Sequence, residues 1–600
     1  MSALSHISLA LKRLGARGTV ILIAEKYAKK NRLKQLLALP ESAHNKVEIL
    51  EPSRESIDPA TLQPEKETVM PMASQMLADE NLVFSFTHHL HNINDPWNYD
   101  PIEKKYWQKQ QYEETQLRLP DVPRDVKIVW EVNRFKYLPL LAEAALVSND
   151  DRYKTEIQWQ IHSWIEHNLF ALTINWSSPL ELAIRAISWI AAIRLLKCGG
   201  IEIVDDSMKR SLWQHAYYLN SQLSVDKIVK TNHLIGEAAG LYIISSLCNF
   251  PEAKVFRKRA LTILETEIIA QTYPDGASRE SSGWYHSFVT DFFDLAERAS
   301  SIAGESFSKK YLDRLSAMKT YAASIIAPDG EIIRYGDCDD GSALFVSNQL
   351  KDLIFGESKT SAATRKNYFN QAQHITAQVG SSFVFMRAGE FGWGGDGFAS
   401  HAHDDLLAPI VYLAGLPVLV DSGTFVYNGD HPKRDSYRIA EAHNGVMIGD
   451  SSPTIVKESF GWTKVRENAS VRVMSDAKNI FAFEASYGEY EGQHKRQCEL
   501  RPDSFILSDV FTLSKEQFVI LSLHFDPRWI VTKESESKVV LKDAQENEVV
   551  LLLSGVDASV DVFEYDFSPK YRVAIPARGI RITINTQIST LRIELTRTSR

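Results

Sequence analysis

The sequence predicts a multidomain α+β protein in which an N-terminal (α/α) toroid is followed by a C-terminal antiparallel β-sandwich. The chain has 600 residues, more than one hydrophobic core normally serves, so two or three domains are expected. From about residue 129 to 353, amphipathic helical patterns follow one another with little strand-like alternation. After about residue 378, segments are short, rich in β-branched and aromatic residues, and interrupted by Gly, Asp or Asn. We therefore predict a mixed region at 1–120, the toroid at 121–375 and the sandwich at 376–600.

The first 37 residues predict a basic amphipathic helix. Apolar residues alternate there with Lys12, Arg13, Arg17, Lys26, Lys29, Lys30, Arg32 and Lys34. Such a helix either lies on an anionic membrane surface or is a solvated helix that covers part of the first domain. The apolar run Thr19–Ala24 is too short for the core of a signal peptide and no small-residue cleavage site follows it. We therefore expect a cytoplasmic or inner-membrane-associated protein, with the periplasm as the alternative location.

The central region predicts helices packed in pairs. Ser178-Pro179 opens one of them, because Pro is favoured in the first turn, and Leu182, Ile184, Ile187, Ile190 and Ile193 then run along it. Further helices are expected at about Thr155–Leu169, Asp206–Leu223, His233–Cys248, Pro251–Thr272, Tyr285–Ala303 and Lys309–Ile326. Many such helices in succession are typical of a solenoid or toroid.

The last third of the chain predicts many short strands. They are expected at Val384–Met386, Ile410–Leu413, Pro417–Val420, Val471–Val473, Phe481–Phe483, Ser504–Leu507, Val519–Leu523, Val549–Leu553 and Ile580–Ile584. Strands at such close intervals indicate an all-β sandwich.

The composition limits the classes of partner. Hydrophobic residues make up 44% of the chain, charged residues 24%, and the net charge is −9. This balance gives no electrostatic reason to expect nucleic acid, although a local basic cleft can still bind an anionic substrate. The four cysteines are scattered and form no CxxC pair, so a cysteine zinc knuckle is not indicated. The sequence gives no prediction of the oligomeric state.

A histidine-rich segment carries the strongest chemical signal. It runs Ser400-His401-Ala402-His403-Asp404-Asp405, and Asp421 and His443 follow at the ends of later predicted segments. Two histidines at i and i+2 of an extended strand point to opposite faces, so one can bind metal while the other faces a substrate. His403, Asp421 and His443 together match a Zn²⁺ site with a fourth position for water. The alternative is a set of unrelated polar residues at strand ends.

Two further segments lie in the helical region. Thr231-Asn232-His233-Leu234 starts an apolar helix, and Arg279-Glu280-Ser281-Ser282-Gly283-Trp284-Tyr285-His286 spans a predicted junction from loop to helix. An Asn at a helix start is ordinarily an N-cap, and a Tyr there is ordinarily a packing residue. Alone, neither segment indicates catalysis.

Taken together, these motifs resemble the heparinase II/III-like polysaccharide lyases. The resemblance rests on TNHLIGEAAGLY, DGASRESSGWYHSF, SHAHDDLLAPIVYLAGLPVLVDSGTFVY and AHNGV, in that order, and covers roughly residues 120–500. It implies an (α/α) toroid ahead of an antiparallel β-sandwich. It also implies β-elimination on a uronic-acid-containing glycan, which leaves a 4,5-unsaturated uronate end. Two departures, Ser400 where the family often has Gly and Gly445 where it often has Thr, leave the substrate preference open.

The resemblance assigns roles to the candidate residues. Asn232 would hydrogen-bond the uronate carboxylate, and Tyr285 would protonate the leaving oxygen or also act as the base. His401 would be the alternative base or a second carboxylate contact. The resemblance also makes His403, Asp421 and His443 ligands of a divalent metal, expected to be zinc, that shapes the site. Segments resembling the family's cleft supply the candidate substrate contacts Asn133, Arg134, Asn175, Trp176, Arg279, Glu280 and Arg438.

A tyrosine acting as the base would need a lowered pKa, because an unperturbed tyrosine titrates near pH 10. A nearby positive charge would lower it. Arg279 and Arg438 are the candidates for that charge, and ordinary ion pairs are the alternative role for each.

Two other classes of function stay open from the sequence. A glycoside hydrolase on the same scaffold would need two carboxylates, for which Asp275, Glu280, Asp337, Asp339 and Asp340 are available. A non-catalytic glycan-binding or assembly factor in surface polysaccharide metabolism would not need Asn232, Tyr285 and His401 together. Heparan-type, alginate-type and bacterial exopolysaccharide uronates all fit the lyase prediction.

Overall fold

The chain forms two compact units, neither of which is one continuous stretch. The computed structural model describes residues 3–38, 47–51, 66–84, 86–112, 117, 125–339, 341–392, 399–449, 454–465, 469–489 and 492–598. The first unit comprises Met1–Gln271, Phe288–Leu315 and Ser342–Thr360, and the second comprises Thr272–Ser287, Ser316–Gly341 and Ser361–Arg600. The domain boundaries after residues 120 and 375 remain predictions.

The first unit is helical. Its helices are Ala3–Leu37, Lys66–Leu77, Val126–Val132, Leu138–Ser148, Asp151–His167, Pro179–Cys198, Asp206–Gln222, Asn232–Leu247, Ala253–Ala270 and Asn348–Phe355, with most of Gly283–Ile302 and the start of Lys309–Ser324. Three small antiparallel ladders accompany them: Glu48–Ile49 with Cys248–Asn249, Asn81–Val83 with Phe86–His88, and Tyr99–Asp100 with Lys105–Tyr106. The helices expected from the sequence are present, with ends that differ by a few residues.

Two nearly fully buried helices form the centre of this unit. Pro179–Cys198 begins with Ser178 at the N-cap position and Pro179 in its first turn, as the sequence predicted. It packs against Asn232–Leu247, where a Cβ placed on Gly240 would lie 2.5 Å from the Cβ of Ala183. The glycine therefore allows the two helix backbones to approach closely.

The second unit contains two antiparallel sheets. The smaller has the strand order Leu416–Leu419, Ile410–Leu413, Ser382–Arg387, His374–Val379, Tyr368–Phe369. The larger has the order Ser470–Ala477, Ile480–Glu489, Gly492–Leu500, Ser504–His524, Ile575–Thr598, Glu548–Ser554, Lys538–Lys542, Ile530–Ser535, with Val446–Ile448 paired to Ser504–His524 and Ser559–Phe567 paired to Ile575–Thr598. A short hairpin, Ile455–Glu458 with Gly461–Lys464, and the short helix His431–Asp435 lie between the sheets in sequence.

The two sheets share one core, as a β-sandwich requires. Ile375, Val384 and Leu413 of the smaller sheet belong to the same buried cluster as Phe483 and Leu521 of the larger sheet. The second face of the smaller sheet packs on residues from the end of helix Lys309–Ser324 and the segment after it: Tyr321, Ile325, Ala327, Ile333 and Tyr335. This packing carries residues 335–339 into the site described below.

The predicted fold class, helices followed by an antiparallel sandwich, is confirmed, but single strands differ. Ser504–Leu507 and Val519–Leu523 were expected as two strands and form one, Ser504–His524, with an irregular register between Thr512 and Gln517. Ile530–Ser535 and Ser559–Phe567 were not predicted, because most of their residues are exposed and give no continuous apolar pattern. No helix in the described residues is long and apolar enough to cross a membrane.

Candidate functional site

Tyr285 and His401 meet face to face in the second unit. Tyr285 lies in the first turn of helix Gly283–Ile302, which Ser282 caps by accepting the Tyr285 N–H at 3.1 Å. His401 lies in a turn rather than on a strand. The two rings stack with centroids 3.6 Å apart and planes 17° from parallel. The sequence separation of Tyr285 and His401 gave no indication of this direct contact.

Asp337 organises the base of the site. Its Oδ2 lies 2.9 Å from Nδ1 of His401, and its Oδ1 lies 2.9 Å from Nε2 of His403. Arg434 donates to both oxygens of the same carboxylate, to Oδ2 at 2.7 Å. Asp337, His403 and Arg434 are buried. Burial acts to raise the pKa of Asp337, but Arg434 and the two histidines outweigh it and hold the pKa well below its ordinary value.

The contacts of Asp337 correct the expected placement of His401 and His403 and determine the tautomer of each. His401 and His403 were expected on opposite faces of a strand, but the backbone there is irregular and both contact one carboxylate. Because the carboxylate paired with Arg434 only accepts hydrogen bonds, the His401 and His403 nitrogens that face it must donate. In neutral imidazoles, Nε2 of His401 and Nδ1 of His403 then carry the lone pairs.

The Tyr285 hydroxyl lies among acidic groups. It donates to Oδ2 of Asp339 at 3.0 Å and lies 3.4 Å from the hydroxyl of Tyr427. Burial raises the pKa of Tyr285 well above its ordinary value, and the charges of Asp339 and Asp337 raise it further. A tyrosine acting as the base would need a lowered pKa, so this raised pKa does not favour Tyr285 as the base.

The two arginines proposed to lower that pKa are engaged elsewhere. Arg279 pairs with Glu390 at 3.1 Å and stacks over Tyr273, with its guanidinium carbon 4.2 Å from the ring centroid. Arg438 is buried, with its guanidinium carbon 4.5 Å from the ring centroid of Trp462, and donates to the carbonyl of Ser459 at 2.6 Å. These contacts do not support substrate binding by Arg438, since a buried guanidinium committed to a carbonyl is not presented to a polysaccharide.

Glu280, in contrast, lies close to His401. Its Oε2 lies 3.8 Å from Nε2 of His401, on the side of the imidazole opposite Asp337. The Glu280 side chain is buried. His401 is therefore flanked by two carboxylates, one at each ring nitrogen.

His403, Asp421 and His443 form the predicted ligand cluster. One potential ligand atom from each lies within 4.8 Å of the others, and all three residues are buried. Nδ1 of His443 lies 2.6 Å from Oδ2 of Asp421. Nδ1 of His403 and Nε2 of His443 are both buried and have no hydrogen-bond partner in the described part of the chain. Two buried imidazole nitrogens without partners are costly in the absence of a ligand, so this donor set fits a divalent metal.

The predicted substrate contacts Asn133, Arg134 and Asn175 of the first unit are buried and hydrogen-bonded within that unit. Asn133 and Asn175 both donate to the carbonyl of Trp97 at 2.9 Å. Arg134 is held by Glu181 at 2.7 and 2.8 Å. All of these side chains are buried. Their hydrogen bonds hold loops together, so their burial does not support the predicted contact with substrate.

Trp176 shows the same discrepancy more sharply. It was expected to offer a ring face to a sugar, but it is only 1% exposed. Its ring packs among Trp164, Phe170, His215 and Tyr218. A large aromatic residue flanked by polar neighbours in sequence is here a core residue.

The catalytic role expected of Asn232 stays a prediction. It is the first residue of helix Asn232–Leu247, whereas Thr231 occupies the N-cap position. Its side chain is buried, so N-capping does not explain this asparagine. It belongs to the first unit, whereas Tyr285 and His401 belong to the second.

Sequence reasoning missed Arg434 and Tyr427 and gave Asp337 and Asp339 a different role. The sequence offers the two aspartates as candidate carboxylates of a hydrolase. Their closeness in Gly336-Asp337-Cys338-Asp339 was the available signal that both belong to one site. Asp340 lies outside the described residues. Arg434 sits in a short helix, His431–Asp435, whose polar sequence gave no sign of a buried guanidinium.

Comparison with known proteins gives the family. The model of the heparinase II/III N-terminus matches residues 25–360, more than half of the chain. The model of the heparinase II/III-like C-terminal region matches residues 362–596.

Relatives and solved structures agree with this match. A heparin-sulfate lyase from Bacteroides stercoris is 23% identical over 471 residues, covering 69% of this chain and 66% of that protein. A heparin-sulfate lyase from Pedobacter heparinus is 23% identical over 368 residues, covering 56% of this chain and 54% of that protein. The chain thus spans slightly under two thirds and about half of these two relatives. A heparinase III crystal structure shares the fold with a TM-score of 0.65 at 15% identity, covering 99% of this chain and 92% of that one. The chain belongs to the heparinase II/III-like family of polysaccharide lyases.

Proposed function

We propose that the chain cleaves an anionic, uronic-acid-containing polysaccharide by β-elimination. The observation that carries this proposal is the stacked pair of Tyr285 and His401. The Tyr285 hydroxyl carries a proton that it donates to Asp339, and the contact of His401 with Asp337 leaves a lone pair on the imidazole. β-Elimination needs both: a base removes the proton at C5, and an acid protonates the oxygen that leaves C4.

His401 acts as the base in this proposal. Asp337 accepts the Nδ1 proton, which leaves Nε2 as the lone pair that takes the C5 proton. Asp337 is thereby a positioning residue, because it selects the tautomer and fixes the ring without touching the substrate. The raised pKa of Tyr285 argues against the tyrosine in the same role, since little phenolate would form near neutral pH.

Tyr285 acts as the acid. Its hydroxyl already carries a proton shared with Asp339, and its pKa is raised by burial and by neighbouring carboxylates. As the bond from C4 to oxygen breaks, electron density moves to that oxygen, and the phenol donates its proton there. The carbon–carbon double bond forms between C4 and C5. The former bridging oxygen leaves as a neutral hydroxyl group on the released chain.

Stabilisation of the intermediate is assigned to Asn232. Removing a proton next to a carboxylate builds a dianionic, enolate-like species, which needs preplaced hydrogen-bond donors. The resemblance to the family gives this role to Asn232, whose side chain is buried at the start of helix Asn232–Leu247.

His403, Asp421 and His443 would hold a divalent metal, which we propose is zinc. When bound, the ion would supply a fixed positive charge that cross-links the segments carrying these three residues. The chain's own contribution is orientation: Asp421 aligns His443 at 2.6 Å and Asp337 aligns His403 at 2.9 Å. No proton transfer in the proposed reaction passes through this site.

The names of the relatives support the choice of the first substrates to test. Both curated relatives are named heparin-sulfate lyases, so heparan-type chains are the first substrates to test. Alginate-type and bacterial exopolysaccharide uronates remain in the panel, because Ser400 and Gly445 depart from the family pattern beside the site.

The test is ultraviolet absorbance of the unsaturated uronate over that panel, with wild type beside Tyr285→Phe. We expect absorbance to rise with wild type and to stay flat with the variant, while the variant still binds the same polysaccharide. The matched control is Tyr412→Phe, which removes a hydroxyl bonded to Asp329 in the same unit and should leave turnover intact. New reducing ends without absorbance would indicate hydrolysis and overturn the proposal. Binding without turnover by wild type on the whole panel would instead favour a glycan-binding factor.

A further inference from the structure

The helix Ala3–Leu37 presents a stripe of mixed apolar and cationic residues to the outside. Val20 is 66% exposed, Ile23 39%, Tyr27 69% and Leu37 46%. Together with Lys30 and Lys34 they follow the spacing 20, 23, 27, 30, 34 and 37, alternating three and four residues, which places them on one helix face. Neither the lyase chemistry nor the family assignment accounts for this face.

The opposite face of the helix is attached to the first unit. Leu36 is buried, and Lys29 pairs with Asp226 at 3.3 Å. The helix is therefore not an independent arm, because one side is fixed to the globular unit and the orientation of the other is set.

The exposed face is also cationic. Lys26, Lys30 and Lys34 are exposed along it. Among the side chains of this helix that the structure describes, Glu25 is the acidic one, and it pairs with Arg32 at 3.1 Å. A basic face on a chain of net charge −9 is a local feature, and it selects for an anionic partner.

We propose that this stripe docks the protein on the surface of an anionic lipid bilayer. Lysine side chains can reach the headgroups while Val20, Ile23 and Tyr27 enter the boundary with the acyl chains. A polysaccharide offers no apolar interior for the aliphatic residues. A second copy of the helix would bring Lys30 and Lys34 of both copies into the same seam, where like charges repel. The mixture of apolar and cationic residues on one face therefore favours lipid.

The experiment is vesicle flotation of the full chain. It compares vesicles of phosphatidylcholine alone with vesicles in which about one third of the lipid is phosphatidylglycerol. We expect binding to the anionic vesicles only. Each lysine near such a surface contributes about 1 kcal/mol, so Lys26→Glu/Lys30→Glu/Lys34→Glu should weaken binding by about 100-fold or more. Val20→Asp/Ile23→Asp should also abolish it.

The control changes the same charge elsewhere. Lys533→Glu/Lys538→Glu/Lys542→Glu alters three exposed or half-exposed lysines of the larger sheet and should leave vesicle binding unchanged. Three outcomes would overturn the proposal. One is equal binding to both vesicles or to neither. Another is a lipid-free dimer that Val20→Asp/Ile23→Asp dissolves, which would identify a second copy as the partner. The third is retention on immobilised heparin that depends on the three helix lysines while vesicle binding does not, which would assign the face to polysaccharide.

Discussion

Nδ1 of His401 lies 2.9 Å from Oδ2 of Asp337, and this contact joins the proposed base to a carboxylate that is inaccessible to solvent. The second oxygen of Asp337 orients His403, one of the proposed metal ligands. Arg434 neutralises the same carboxylate. One buried aspartate thus sets the tautomers of two histidines with different tasks, which explains how residues two apart in sequence can divide those tasks without lying on a strand.

Replacing Asp337 with Asn should impair catalysis far more than binding. An amide at this position no longer enforces the His401 tautomer. By analogy with other buried aspartates that orient a base histidine, kcat should fall about 1,000- to 10,000-fold, with little change in KM. Steady-state kinetics by ultraviolet absorbance check this, together with the thermal unfolding midpoint.

Asp275→Asn is the control for that experiment. Asp275 accepts backbone N–H groups of Gln371 and Ala372 in the same unit, so the change is chemically identical but lies outside the His401 network. It should leave kcat unchanged. If Asp337→Asn folds and keeps its kcat, His401 does not depend on this carboxylate and the assignment of the base fails.

The pH dependence distinguishes Tyr285 as acid from Tyr285 as base. The pKa of Tyr285 lies well above its ordinary value, which is about 10. The phenol therefore keeps its proton through the alkaline range, and kcat/KM should stay level between about pH 8 and 10. If the tyrosine were the base, activity would instead rise through this interval as phenolate forms. A pH profile of wild type over the range in which its unfolding midpoint is constant checks the prediction.

Local periodicity was enough to predict the helices and the class of the second unit, because it depends on neighbours within one turn or one strand. Helix Pro179–Cys198 began where Ser178-Pro179 indicated. The same information could not foresee that Trp176 is enclosed by Trp164, Phe170, His215 and Tyr218, the last two from helix Asp206–Gln222. Burial of a loop residue is a tertiary property that composition does not encode.

The functional site, like the fold, could be predicted from the sequence only in part. The motifs led to Tyr285, His401 and the histidine–aspartate cluster, and the family resemblance is confirmed by the matched models. The raised pKa of Tyr285 could not be foreseen, because it comes from burial and from Asp339 and Asp337, which lie about 50 residues away along the chain. Only the fold brings those carboxylates to the phenol, and no spacing rule applies to them.

The metal site should bind one divalent ion, and His443→Ala should abolish this binding. Nδ1 of His403 and Nε2 of His443 are the two buried nitrogens without a partner in the described residues, so they are the expected donors. Metal content by mass spectrometry after gel filtration checks the prediction. Chelation should lower the unfolding midpoint of wild type and leave that of His443→Ala unaffected. Equal metal content in both proteins would refute the assignment.

A buried ion pair in the larger sheet should control the stability of the fold at acid pH. This pair takes no part in the proposed reaction. Asp509 and Arg496 are directly opposite each other on adjacent strands, joined by two hydrogen bonds of 2.7 and 2.8 Å, and His494 adds a third at 2.7 Å. Burial acts to raise the pKa of Asp509, but Arg496 and His494 outweigh it and lower the pKa below its ordinary value.

Asp509→Asn should therefore destabilise the protein by about 3–5 kcal/mol at neutral pH, because Arg496 is left buried without its counter-charge. Since the pKa is lower in the folded state, the carboxylate stabilises the fold above its unfolded-state pKa of about 3.9. That stability is lost as the pH falls toward the folded-state value. The gap between wild type and variant should be widest above about pH 5 and narrow below about pH 4. Urea unfolding at several pH values measures it, with Asp561→Asn on an exposed position of the same sheet as the control. A gap that does not change with pH would show that Asp509 contributes through packing and not through its charge.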